Sequence, residues 1–130
     1  MEPHQLASAI EADACELVAT LPDLPSARLA ALADAIERLR AVVTDEPAQV
    51  AAVLALVVAQ YRAGLAVLEG WAVVVAACHA LARALAEPTA GHARALAAVR
   101  FELETLLPSR DRAPSVAGPD VPVTALYRRT

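Results

Sequence analysis

Apolar residues in this chain recur at alternating three- and four-residue intervals, and proline-bearing breaks cut that recurrence into helix-sized pieces. Leu29, Leu32, Ile36, Leu39 and Val43 form one such seam; Trp71, Val74, Cys78, Leu81 and Leu85 form another. A 3-4 spacing keeps side chains on one face of an α-helix, whereas a half-buried strand needs alternation at every second residue. Alanine, the best helix former, is the commonest residue, and the aromatics are one Trp, two Tyr and one Phe, so the core has to be built from Leu, Val and Ala. The expected fold is all-α: a four- to five-helix bundle over residues 1–107, then a non-helical, Pro-rich C-terminal tail over 108–130. A chain of 130 residues suits one domain and can bury a core without disulfide or metal staples.

Along the chain, a first helix is expected from about Pro3 to Thr20, with Leu6, Ile10, Leu17 and Leu21 on its apolar stripe. Asp23 is the expected N-cap of the second helix, with Pro25 in its first turn and Asp34 and Arg38 spaced for a surface ion pair. The third begins after Thr44-Asp45-Glu46-Pro47 and carries Val50, Leu54, Val57, Tyr61, Leu65 and Leu68; it is apolar almost all round from Val50 to Ala59, the pattern of a helix buried on several sides. Gly70 leaves two readings open. A break there starts a fourth helix at Trp71; continuity makes residues 46–86 one helix on the order of 60 Å long. Glu87 to Gly91 is a break, and a last helix to about Leu107 has His92, Leu96, Val99, Leu103 and Leu106 on its stripe and Phe101 nearly opposite. Gly64 is expected to permit a close helix contact.

The charge balance excludes whole classes of function. A net charge of -4 lacks the basic footprint by which proteins gain affinity from phosphate counterion release, so nucleic acid is not an expected partner. Cys15 and Cys78 sit in helical pattern without CxxC spacing and are expected to be buried, reduced thiols. The acidic N-terminus has no uninterrupted apolar run of the signal-peptide kind, so a cytoplasmic location is expected. The charge-free run Pro47 to Tyr61 is shorter than the roughly 20 residues of a membrane span, and the run Ala63 to Ala82 contains Glu69 and His79. Buried central helices, rather than a membrane, are the expectation.

No reactive constellation is legible. A carboxylate-bridged metal centre in a bundle needs Glu-x-x-His pairs, yet Ala76 precedes His79 by three and Thr89 precedes His92 by three. Cys78 and His79 are adjacent and so point about 100° apart on a helix, poor geometry for one metal. No GxSxG step exists, and glycines at 64, 70, 91 and 118 cannot make a phosphate-cradling loop. No catalytic residue, metal or cofactor is expected. A possible small-molecule pocket between helices would use Tyr61, Trp71 and His79.

The remaining features point to interaction. Phe101 lies off its helix's core stripe, as a tail-docking or partner contact would, and the heptad seams suit a homo-oligomer as well as a single bundle. From Pro108 onward come four prolines and a glycine, and then the apolar, β-favouring and finally basic run Val121 to Arg129. A Pro/Gly linker ending in a short sticky segment is the layout of a docking peptide, with Val123, Leu126, Tyr127, Arg128 and Arg129 as its contact residues. The seven residues Val123 to Arg129 loosely resemble the C-terminal loading peptides of encapsulin cargo proteins, which combine small and branched apolar residues with a Leu and terminal basic residues. The segment departs from them in lacking a Gly-Ser step and in placing Tyr127 before the arginines. Three readings follow: a non-enzymatic helical interaction or adaptor protein, homo-oligomeric, with its tail docked to a larger protein assembly; a small-molecule-binding bundle; or, as the resemblance implies, a cargo-like protein loaded into a protein compartment through its tail.

Overall fold

The computed structural model describes residues 2–108, so the tail, with Val123, Leu126, Tyr127, Arg128 and Arg129, lies outside the described residues. Within them are five helices, α1 Pro3–Val18, α2 Ser26–Arg40, α3 Asp45–Arg62, α4 Trp71–Ala86 and α5 Ala90–Glu104, and a 3-10 turn at Leu68–Gly70 that runs directly into α4. The bundle is all-α, as the periodicity requires. α1 packs on α2 and α4, α2 on α3, α3 on α5, and α5 on α4, closing a ring that a contact between α3 and α4 crosses.

The heptad seams are the core. Leu29, Leu32, Ile36 and Leu39 of α2, and Trp71, Val74, Cys78 and Leu81 of α4, are all buried, together with Ile10 and Leu17 of α1, Val50, Leu54 and Val57 of α3, and Leu96 and Leu103 of α5. Alanines complete it: Ala7, Ala14, Ala51 and Ala77 are buried where helices face one another, since a methyl side chain allows close approach. α3 and α4 each pack against three other helices, and each keeps an exposed edge: Leu56 and Ala59 of α3, despite its all-round apolar sequence, and Ala72, Ala76 and His79 of α4. Leu68–Ala86 is the one helical stretch among the described residues long and apolar enough to cross a bilayer, at 19 residues and mean hydropathy 1.4; half of it is buried inside the bundle.

Several boundaries differ from the sequence reading. α2 is capped at Pro25 rather than Asp23, whose backbone carbonyl instead accepts from the Thr20 hydroxyl. No ion pair joins Asp34 to Arg38; Glu37 pairs with Arg40 one turn on, and Glu16 with Arg28 across the α1–α2 hairpin. α5 starts at Ala90, with the Thr89 hydroxyl accepting from the His92 N–H at 3.1 Å, so Gly91 belongs to the helix. Asp45 opens α3 at φ 59, a left-handed conformation that Asp tolerates better than most residues.

The largest difference is the end of α3. It stops at Arg62, eight residues before Gly70, and the single long helix does not form. Gly64 sits at φ +73 just past the helix; its N–H reaches the Tyr61 carbonyl and the Leu65 N–H reaches the Gln60 carbonyl at 2.9 Å, the paired bonds of a Schellman cap. A Cβ on Gly64 would meet nothing within 4 Å, so the residue is there for its backbone and not for a helix contact. Gly64→Ala is accordingly expected to cost about 1–2 kcal/mol through the left-handed backbone, with a smaller loss for Gly64→Asn, as read from urea unfolding. Equal stability of all three chains would remove the cap from the account.

Candidate functional site

Tyr61, Trp71 and His79, the residues of the possible pocket, do not converge. Tyr61 and Trp71 are brought together, their rings meeting edge to face with centroids 5.0 Å apart and planes at 88°. Both are buried and both polar atoms are occupied: Trp71 Nε1–H donates to the Ala14 carbonyl at 2.9 Å, and the Tyr61 hydroxyl donates to the Val67 carbonyl at 2.7 Å. Burial, with Glu69 nearby, raises the Tyr61 pKa, so the phenol stays protonated as that hydrogen bond requires. The pair is thus a structural clasp. It ties α1, α3, α4 and the α3–α4 connection into one end of the bundle.

His79 lies elsewhere on α4 with its ring exposed, its Nδ1 donating to the Glu11 carboxylate at 2.7 Å, a partner 68 residues away in sequence. It lines an open groove between α4 and α5, with a volume of about 400 Å³ and a floor that includes Ala76, Ala80, Ala95 and Val99. His92 and Arg83 flank the same groove, and His92 Nδ1 donates to the Glu87 carbonyl. Among the described residues no three His, Cys, Asp or Glu side chains gather as metal ligands. Of the two thiols expected to be buried, Cys78 is, and desolvation pushes its pKa well above the usual thiol range, whereas Cys15 is exposed on α1. Helical pattern alone did not distinguish them, because Cys15 stands beside the stripe of Ala14 and not on it.

Among the described residues large apolar side chains are exposed at Val18, Val42 and Leu56, and most of all in two places. One is the outer face of α5, where Phe101 is 72% exposed. Around it Gly91, Arg94, Ala98 and Thr105 are exposed too and fall at 3-4-3-4 spacing with Phe101, a second seam on the side of α5 away from Leu96 and Leu103. The inner edge of α5 is fixed by Arg100, whose guanidinium bonds Glu46 at the start of α3 and Glu104 one turn on; those bonds raise its pKa further.

The other is the α3–α4 connection, which sequence reading assigned to helix. Leu65 and Val67 are 66% and 64% exposed, and Leu68 is 37% exposed. Ala66 between them packs against the core where the chain bends, and Leu65 and Val67 are exposed on either side of it. Neighbours on both flanks hold this platform. The Gly64 cap fixes one end; at the other, Gly70 is buried under Tyr61 and Leu106. Gly64 was the available signal, a glycine directly before Leu65 and four residues before Leu68, the two leucines that continue the helical stripe. Comparisons with protein-family models, with curated proteins and with solved structures give no match, so the reading of these surfaces rests on the chain's own residues.

Proposed function

We propose that this chain works through contact with other proteins and not through chemistry of its own: a helical interaction or adaptor module that self-associates, and whose segment beyond residue 108 is a docking peptide for a larger assembly. Phe101 is the observation that carries the reading. A phenyl ring left on the solvent side of a helix forfeits burial worth about 1.5–3 kcal/mol, which a partner surface recovers. Its neighbours suit a second copy in particular. Gly91 and Ala98 are small enough for another backbone to approach, and Arg94 and Glu102 lie eight residues apart about Ala98. In an antiparallel pairing of two α5 helices across a twofold axis, Arg94 therefore faces Glu102 of the partner subunit twice over, the self-complementarity an isologous interface needs.

Sedimentation equilibrium tests the self-association. The wild-type chain is expected to be a dimer, and Phe101→Asp to weaken it by about 30-fold or more, as loss of a central aromatic anchor does, while thermal unfolding at dilutions where both chains are monomeric is unchanged because Phe101 lies outside the core of its own subunit. A wild type that stays monomeric at every concentration rejects this part. For the tail, affinity co-purification from the native host compares the full chain with one ending at Leu107; a stoichiometric partner held equally by both would reject the docking peptide.

A further inference from the structure

We propose that residues 121–127 of this same chain cover the platform made by Leu65, Val67 and Leu68, so that the body masks its own docking peptide until a competing surface takes it. The inference rests on reading the tail as a docking peptide, and adds where that peptide lies when no larger assembly is bound.

The exit point of the chain is the first argument. Leu107 is buried, and the Leu106 methyls lie 3.1 and 3.2 Å from where a Cβ on Gly70 would stand. The C-terminal end of α5 is therefore seated on the same turn that carries Leu68, and Pro108 leaves the bundle beside the platform. Val121 comes thirteen residues after Pro108. A chain of that length reaches about 43 Å when extended and averages about 20 Å as a coil, so every part of this end of the bundle is accessible to it. Such a tether gives an effective concentration on the order of millimolar, and at that level a segment with an intrinsic Kd of about 0.1 mM is docked in about nine molecules of ten. A second copy would have to reach the same millimolar level in free solution to compete.

Composition and charge match as well. The platform presents three aliphatic side chains in four residues, and the segment Val121-Pro122-Val123-Thr124-Ala125-Leu126-Tyr127 supplies branched and aromatic side chains with no charge among them. Arg128 and Arg129 follow directly. At the platform's edge stands Glu69, exposed and in no ion pair among the described residues, ready to meet them. The face is thus apolar with one acidic side chain, Glu69, beside Leu68, and the segment is apolar with a basic end.

Methyl NMR of the full chain tests this. The Leu65, Val67 and Leu68 methyl signals are expected to move between wild type and the double variant V123D/L126D, while core methyls such as Leu54 and Leu81 stay in place, and the wild-type signals are expected not to depend on protein concentration. A synthetic peptide of residues 119–130 added to the double variant should return the platform signals toward their wild-type positions, and Glu69→Arg should raise the peptide concentration needed several-fold. Platform signals indifferent to V123D/L126D overturn the proposal. Wild-type platform signals that shift with concentration overturn it too, because a second copy is then the occupant. The two readings fail separately: platform signals indifferent to V123D/L126D, with a stoichiometric partner still lost on truncation at Leu107, reject the masking and leave the docking peptide intact.

Discussion

Trp71→Ala is expected to lower stability by about 3–5 kcal/mol, the range for emptying a closed aromatic site. Against a total of about 5–15 kcal/mol for a domain of this size, that approaches unfolding. The indole is 1% exposed at the first position of α4. Its removal takes away the edge contact with Tyr61 and the hydrogen bond to Ala14, and it opens a void where α1, α3 and α4 meet. Collapse cannot easily fill that void, because Tyr61 is held by Val67 on its other side. Trp71→Phe separates the terms. It keeps an aromatic body and loses the N–H donor, so a loss of about 1–2 kcal/mol is expected, the hydrogen bond plus a little volume. Urea unfolding followed by far-UV circular dichroism measures both, since the fluorescent reporter is gone. A Trp71→Ala loss below about 1 kcal/mol would mean that the site collapses around the missing ring and is not a clasp.

Gly70→Ala is expected to destabilise by about 1–2 kcal/mol even though alanine is the better helix former, which isolates a steric cause. Gly70 has φ -68 and ψ -14, a conformation any residue adopts, so backbone strain plays no part and propensity alone would favour the substitution by up to about 1 kcal/mol. Overpacking outweighs that gain. The new methyl would stand 2.8 Å from the Tyr61 hydroxyl and within 3.2 Å of both Leu106 methyls. Leu106 is a partly buried, flexible side chain, whereas the hydroxyl is pinned at 2.7 Å to the Val67 carbonyl, and moving it costs that bond or the ring contact with Trp71. Tyr61→Phe removes the obstructing atom, so the double variant should lose less than the sum of the singles, with a coupling of about 0.5–1.5 kcal/mol. Strict additivity in that cycle would show that Tyr61 is not what excludes a side chain at position 70. Gly64 and Gly70, six residues apart, are thus required for opposite reasons: one for its backbone in open space, the other for its missing side chain in a closed one.

The contact surfaces were legible unequally. Phe101 could be assigned to the outside of α5 because a residue's angle around a helix is set by counting from its neighbours, and 101 falls opposite 96 and 103. The platform was hidden by the same arithmetic. Leu65 and Leu68 continue the stripe of Val57 and Tyr61, so periodicity extended the helix through them. The chain instead turned at Gly64, where a Schellman cap and the Tyr61 to Val67 hydrogen bond outweigh continued helical bonding. His79 was grouped with Tyr61 and Trp71 as one pocket between helices, but eight residues along α4 carry it away from Trp71 to another part of the molecule, and its partner Glu11 comes from α1.

By itself the sequence determined the helical class, the breaks at its prolines and most residues on each core stripe, because helix formation and amphipathicity depend on residues within a turn or two of one another. The tertiary structure alone decided which edges of α3 and α4 stay in solvent, that Cys15 is exposed and Cys78 is not, that Tyr61 and Trp71 clasp one end of the bundle, and that Leu65, Val67 and Leu68 are exposed. Those outcomes depend on which helix faces lie against which, a choice settled by close packing among residues dozens of positions apart, and local spacing carries no information about it.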